Sequence, residues 1–150
     1  GISGLKAFDG SHSVSQKVSL IRLDDYCRDT GINRIKFLKI DTEGHDLIVL
    51  KGIDLSQTPV DVIICEFEDR KTFPRGYDRF DLAQHLTERG YRIVISEWHP
   101  ISSYGGNHRW KAFRNLMDET ASDSWGNIIA FKGEIPKELV RSYENRFSQK

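Results

Sequence analysis

Residues 34–51 read RIKFLKIDTEGHDLIVLK, and this stretch predicts a buried strand, a tight polar turn and a helix in direct succession. The segment 35–40 is apolar apart from two lysines, which is typical of a short strand. A second apolar run over 47–50 ends at Gly52, and glycine is a common stop signal for a helix. The polar cluster from Asp41 to Gly44 lies between the two runs. Because open α/β sheets bind ligands at the carboxyl ends of their strands, this cluster is the first candidate for a functional site.

The composition predicts one domain, residues 1–150, with a hydrophobic core. Lysine plus arginine and aspartate plus glutamate are equal at 22 each, so the chain has no net field to attract nucleic acid. No apolar run is long enough to span a membrane, and no secretory signal pattern is present. Cys27 and Cys65 do not form a CxxC pair, which predicts reduced, structural thiols in a cytoplasmic protein.

Strands and helices are predicted to alternate along most of the chain. A strand over 17–23 is followed by a helix from Asp24 to Thr30, and Asp78 is a typical N-cap for a helix that ends at Arg89. This early alternation favours a parallel, right-handed α/β sheet. The remaining elements are three apolar strands and a terminal helix, predicted over 60–67, 91–98, 127–132 and 136–147.

The segment 99–125 is too long for an ordinary connection, and long insertions in compact domains often carry function. Within it, residues 104–108 read YGGNH and predict a mobile loop near a site. Four apolar side chains recur at helical spacing, and we expect them to pack down onto the sheet: Trp110, Phe113, Leu116 and Met117.

Four short motifs occur in a fixed order along the first half of the chain. They are Leu23-Asp24-Asp25, then Lys39 to Gly44, then Val49 to Gly52, and finally Glu66 at the end of an apolar strand. Each motif alone is weak, but the ordered set resembles the FkbM family of S-adenosylmethionine-dependent methyltransferases. The resemblance covers about a third of the chain.

The resemblance implies a Rossmann-like class I methyltransferase fold, of which this chain is the C-terminal, substrate-side part. Such a fold has a mostly parallel sheet with helices on both faces and an antiparallel last strand. The expected spatial order of the strands is 35–40, 60–67, 127–132 and 91–98.

The resemblance also implies cofactor-binding parts that this sequence does not show. In that family S-adenosylmethionine is held mainly by a glycine turn after an earlier strand and by an acid that binds the ribose. We therefore expect the 150-residue chain alone to bind S-adenosylmethionine weakly or not at all. The strand 35–40 is then left with an unpaired edge, which proteins usually avoid. We expect residues 1–23, a missing N-terminal segment or a partner chain in a homo-oligomer to cover that edge.

Transfer of a methyl group to a hydroxyl requires that the hydroxyl lose its proton and be held in line with the donor. Asp41 is the candidate base or positioning group and the one candidate cofactor contact, because its strand points it at the crevice. Glu43 is the second catalytic candidate. Glu66, His45 and Trp98 are candidates for substrate binding, and an aromatic ring suits stacking on a sugar. The substrate class, a hydroxyl of a sugar, glycan or secondary metabolite, comes only from the resemblance.

Each candidate has a structural explanation beside the functional one. Asp41 suits helix capping, Glu43 suits a solvated surface, and His45 at a helix start is commonly exposed. Lys39 suits a structural ion pair, and packing is the commoner fate of a residue such as Trp98.

Two other classes of function remain open from the sequence. The first is a metal-dependent hydrolase or phosphotransferase in which Asp41, Glu43 and Glu66 bind Mg²⁺ through hard oxygen ligands. The second is a non-catalytic interaction module that keeps the fold without the cofactor half.

Overall fold

The computed structural model describes residues 18–100, 107–118 and 125–144, with the side chains of 142–144 left aside. These residues form a mixed α/β domain around one five-stranded sheet. A single 3-10 turn, Phe73–Arg75, lies between the third and fourth helices. The strands are β1 (Ile35–Ile40), β2 (Val60–Glu68), β3 (Arg92–Trp98), β4 (Trp110–Arg114) and β5 (Trp125–Phe131); the helices are α1 (Leu23–Thr30), α2 (Asp46–Lys51), α3 (Asp69–Thr72), α4 (Arg79–Thr87) and α5 (Lys137–Glu144).

The strand order is β1-β2-β5-β3-β4, which confirms the spatial order expected for the first four strands. The expectation of a mostly parallel sheet is wrong. Only β1 and β2 pair in parallel, whereas β2–β5, β5–β3 and β3–β4 all pair antiparallel. The reason is topological: β5 runs back between β2 and β3 and so makes both of its pairings antiparallel, and β4 adds a third such pairing beyond β3.

One face of the sheet carries the core. Helices α2 and α4 contact each other, and they contribute Leu50, Leu82 and Leu86 to the same cluster as Ile63 and Cys65 of β2. All five of these side chains are fully buried. Cys65 and Cys27 are both free thiols. Burial of apolar side chains on this scale is the main stabilising term of the domain.

The helix α4 begins as the sequence predicts. Asp78 accepts hydrogen bonds from the backbone N–H groups of Phe80 and Asp81, and Asp81 accepts the N–H of Asp78 in return, which makes a complete capping box. Phe80, in the first turn of this helix, is 44% exposed rather than packed into the core. The guanidinium of Arg79 lies over its ring instead.

The start of the described chain departs from the sequence prediction. Residues 18–22 form no strand, and α1 begins at Leu23 with Arg22 rather than Asp24 as its N-cap. The carboxylate of Asp24 instead accepts the backbone N–H of Asp54 at 2.9 Å, so it connects α1 to the loop after α2. The predicted end of α1 at Thr30 is confirmed, and Gly31 closes the helix in the left-handed conformation.

The apolar residues of 110–117 form a strand and a turn, not a helix. Antiparallel pairing with β3 overrides the helical spacing, because β4 supplies Lys111 and Arg114 as partners for the fully buried carboxylate of Glu97. Trp110 is 42% exposed and Met117 is 81% exposed, so the expected packing of both onto the sheet is wrong. The predicted loop 104–108 lies largely outside the described residues.

No helix in the described ranges is long and apolar enough to cross a membrane.

Candidate functional site

The turn between β1 and α2 has a left-handed backbone at two consecutive residues. Glu43 has φ of 54°, and Gly44 has φ of 88°. A Cβ atom at Gly44 would lie 3.0 Å from the carbonyl oxygen of Lys71, so only glycine fits without displacing that backbone. The phenol of Tyr77 donates a 2.8 Å hydrogen bond to the carbonyl of Gly44. The turn is therefore fixed from outside by the segment that follows β2.

Asp46, the first residue of α2, is fully buried and connects this turn to β2. Its carboxylate accepts hydrogen bonds from the hydroxyl of Thr42 at 3.0 Å and from the backbone N–H of Glu66 at 3.2 Å. Burial raises the pKa of Asp46 to about 6, against the lowering effect of these hydrogen bonds. Sequence reasoning missed Asp46; the only signal is an acid at the first position of the helix.

Lys71 of α3 lies among three carboxylates. Its Nζ is 2.5 Å from a carboxylate oxygen of Glu43, 2.6 Å from one of Glu68 and 3.7 Å from one of Glu66. The lysine side chain is only 5% exposed, so these contacts are shielded from solvent. Two candidate acids, Glu43 and Glu66, are thus brought together by a cation that the sequence reasoning did not single out.

Glu66 is the candidate acid with the most perturbed proton affinity. Burial raises the pKa of Glu66 to about 7, and the charge of Lys71 opposes that rise. Asp41, Glu43 and Asp46 raise it further by charge repulsion. A carboxyl group with a pKa near neutrality can both accept and release a proton under ordinary conditions.

Asp41 follows Ile40, whose register partner is Cys65, so Asp41 and Glu66 stand next to each other at the carboxyl ends of adjacent parallel strands. The Asp41 side chain is 42% exposed, and its carboxylate is 2.5 Å from the ammonium of Lys39. The hydrogen bond from Lys39 to Asp41 raises the pKa of Lys39. Asp41 is therefore the most solvent-accessible acid of the group, while Lys39 is in an ion pair.

His45 is only 7% exposed, in contrast to the exposed histidine that is common at a helix start. Its Nδ1 is 3.3 Å from the carbonyl oxygen of Thr42, and the Nε of Arg75 donates to its Nε2 at 3.5 Å. A ring with its proton on Nδ1 satisfies both of these contacts. The ring is part of the packing of the turn.

Trp98 ends β3 at the same end of the sheet. Residues in register on neighbouring strands share a face, and the register aligns Trp98 with Trp125 and Glu68. The centroids of the two indole rings are 5.5 Å apart. Two positions earlier on β3, the same alternation aligns Ser96 with Asn127 and with Glu66. These polar and aromatic side chains therefore occupy adjacent rows on one face of the sheet.

The arrangement bears on the magnesium alternative. Within the described part of the chain, no group of three or more His, Cys, Asp or Glu side chains is placed to hold a metal ion. The position between Glu43, Glu66 and Glu68 is taken by the ammonium of Lys71. Glu43 and Glu66, two of the three carboxylates that this alternative requires, thus face a cation of the chain itself.

Comparison with known proteins agrees with this geometry. The family model described as the methyltransferase FkbM domain matches residues 2–93, a range that includes β1, the turn, β2 and Lys71. No curated protein and no solved structure gives a significant match. Because the family model covers more than half of the 150 residues, the chain belongs to the FkbM methyltransferase family.

Proposed function

We propose that this chain forms the acceptor side of an S-adenosylmethionine-dependent O-methyltransferase. The single observation that carries this proposal is the group of acids at the carboxyl ends of β1 and β2. Asp41 and Glu43 follow directly after β1, and Glu66 lies near the end of the parallel neighbour β2, all inside the range that matches the methyltransferase family. This is the edge at which open α/β sheets bind their ligands.

Asp41 is the described residue that best fits a contact with the cofactor. The methyl donor carries a positively charged sulfonium. The carboxylate of Asp41, at the end of β1, is exposed and can contact such a cation without a rearrangement of the chain. When bound, the cofactor supplies the methyl group. The chain's own residues hold the acceptor hydroxyl and take its proton.

The roles of the two best-placed acids follow from their surroundings. Asp41 accepts a hydrogen bond from the acceptor hydroxyl and takes its proton, because it is the acid most open to a ligand. Glu66, on the next strand, accepts a hydrogen bond from a second hydroxyl and fixes the orientation of the acceptor. Glu43 lies in the turn beside Asp41 and Glu66 and supports the hydrogen bonds that these two acids make to the acceptor.

The rows of polar and aromatic side chains support a sugar or a hydroxylated secondary metabolite as the acceptor. Trp98, which is half-buried and packs against the buried ring of Trp125, offers an apolar surface for the face of a sugar ring. Glu66 and Asn127, in register beside that surface, offer acceptors and donors for its hydroxyl groups.

The surroundings in which the protein works are part of the proposal. Cys27 and Cys65 are both buried free thiols, which supports a reducing compartment such as the cytoplasm. In the described residues β1 pairs only with β2, which supports coverage of its other edge by a preceding segment or by a second copy of the chain.

The test is a methyl-transfer assay with the full-length protein and a methyl donor labelled in the transferred group. The acceptors are a panel of monosaccharides, glycosides and hydroxylated secondary metabolites, each beside the analogue that lacks one hydroxyl. We expect label in an O-methyl product, with no transfer to the analogue that lacks the reacting hydroxyl. Transfer to nitrogen or carbon, or cofactor binding without transfer to any panel member, would overturn the proposal.

A further inference from the structure

We propose that Lys71 is a positioning residue of the acceptor site: its ammonium holds Glu43 and Glu66 in one geometry and keeps the turn between β1 and α2 in place. This inference rests on the proposed function for its consequences in catalysis. Its structural part, the ordering of the turn, stands on the contacts alone.

Lys71 contacts the turn through its charge. Its ammonium is 2.5 Å from Glu43, a residue whose backbone is held in the left-handed conformation. Such a conformation is strained for a residue with a side chain, so it persists only where the surroundings enforce it. Among the described residues, the ion pair with the ammonium of Lys71 is what restrains the side chain of Glu43.

Lys71 also contacts the turn through its backbone. Its carbonyl oxygen and its Cβ would lie 3.0 Å and 3.1 Å from a Cβ atom at Gly44, so the turn and α3 are closely packed there. The guanidinium of Arg75 donates a hydrogen bond to the same carbonyl oxygen. The main chain of Lys71 is therefore held independently of its ammonium, and a substitution of the side chain changes the charge without releasing α3.

The charges around Glu66 explain why the ammonium of Lys71 is needed at this site. Glu66 faces Lys71 from α3, Asp41 and Glu43 from the end of β1 and the turn, and Asp46 from α2. The charge of Lys39 also acts on Glu66, but its ammonium is engaged by Asp41. Without the charge of Lys71, the carboxylates of Glu43 and Glu66 would face each other in a partly buried site, where like charges repel strongly.

Lys71 stays charged at working pH. Burial lowers its pKa, but hydrogen bonds to Glu43 and Glu68 and the nearby charges outweigh that effect, and the pKa of Lys71 is raised overall. The restraint is therefore present whenever the neighbouring acids are ionised.

The test compares Lys71→Met with Lys71→Arg in the full-length protein. Lys111→Met is the matched control, because Lys111 is another partly buried lysine, 2.8 Å from the buried Glu97 at the far side of the sheet. For Lys71→Met we expect the KM for the acceptor to rise by roughly tenfold to a hundredfold. We expect Lys71→Arg to recover most of that loss, and Lys111→Met to leave the KM unchanged even where it lowers the melting temperature.

A second readout does not depend on activity. Amide hydrogen exchange over residues 42–46 should be faster by about tenfold in Lys71→Met than in Lys111→Met, because the turn opens more readily without the ammonium. If Lys71→Met does not fold, the KM and the amide hydrogen exchange are measured on Lys71→Gln instead. Equal exchange in Lys71→Met and Lys111→Met, or an unchanged KM in Lys71→Met, would overturn the positioning role. If the wild-type protein transfers no methyl group, the proposed function fails, and the exchange measurement still decides the role of Lys71 in the turn.

Discussion

The carboxylate of Asp46 accepts the backbone N–H of Glu66 at 3.2 Å, so the first residue of α2 is bound directly to the end of β2. The same carboxylate accepts the hydroxyl of Thr42 at 3.0 Å. One buried acid therefore fixes the turn after β1 and the end of β2 at a defined separation. The candidate acids of the site are carried by these two segments.

This buried acid should make stability depend on pH. Burial raises the pKa of Asp46 from its ordinary 3.8 to about 6, so the folded protein binds its proton more tightly than the unfolded chain. The stabilisation from this proton is complete below pH 3.8 and is lost as pH rises through about 6. Between pH 4 and 7 we expect the free energy of unfolding of the wild type to fall by up to about 3 kcal/mol more than that of Asp46→Asn.

Urea denaturation at a series of pH values measures this difference. Asp29→Asn is the control, since Asp29 is an exposed acid of α1 and should leave the pH profile of the wild type unchanged. Parallel profiles for the wild type and Asp46→Asn would show that Asp46 does not carry the raised pKa.

Replacement of Asp41 should affect activity and spare stability. For Asp41→Asn we expect kcat to fall by roughly two to four orders of magnitude, because the acceptor hydroxyl loses its proton acceptor. The midpoint of urea denaturation should change little, because the side chain is exposed and its ion pair within the described residues is with the similarly exposed Lys39. Asp61→Asn is the matched control: Asp61 is an acid paired with Arg34 and Lys36 at the opposite end of β2. Near wild-type turnover of Asp41→Asn would remove Asp41 from the reaction.

The pH profile of the reaction should report Glu66. Burial raises the pKa of Glu66 to about 7. Only the ionised form of Glu66 offers both carboxylate oxygens as acceptors for a hydroxyl of the substrate. We expect kcat/KM to be low below pH 7 and to rise to a plateau above it, because Glu66 loses its proton over that range. Glu66→Gln should abolish this rise and lower the plateau. A Glu66→Gln profile identical in shape to that of the wild type would assign the pH dependence to another group.

The glycine of the turn offers a test of its backbone geometry. Gly44→Ala places a Cβ atom 3.0 Å from the carbonyl oxygen of Lys71 and keeps φ at a positive value. We expect it to lower the free energy of unfolding by about 1–3 kcal/mol. Gly133→Ala is the control, because a Cβ atom there meets nothing within 4 Å. Chemical denaturation of both variants measures the difference, and equal stability would mean that the turn can relax around an alanine.

Much of the fold could be predicted from the sequence because its signals are local. The apolar run of β1 and the N-cap at Asp78 each act within a few residues, and both were identified. The strand order followed from the family resemblance. The antiparallel direction of β5 and its place between β2 and β3 were expected from the same resemblance. The pairing of β4 with β3 was not predicted, because the apolar residues of 110–117 recur at helical spacing.

The site could be predicted only in part, for the same reason. Asp41, Glu43 and Glu66 follow apolar strands and are visible as acids at strand ends. Lys71 lies in a polar segment without periodicity, and only the folded chain brings it to Glu43. Asp46 reads as an ordinary acid of the first helical turn until the register of β1 and β2 places the N–H of Glu66 beside it.

The position of β5 between β2 and β3 has a consequence for the order of folding. β1–β2 and β3–β4 are each complete pairs, but neither pair touches the other strand to strand until residues 125–131 join them. The last strand in sequence is thus the one that unites the sheet, and its contacts with β2 span a long stretch of chain. Contacts between distant segments slow the search for the native state. We therefore expect Glu66 of β2 and Trp98 of β3 to be brought into one sheet only after residues 125–131 of the nascent chain have been synthesised.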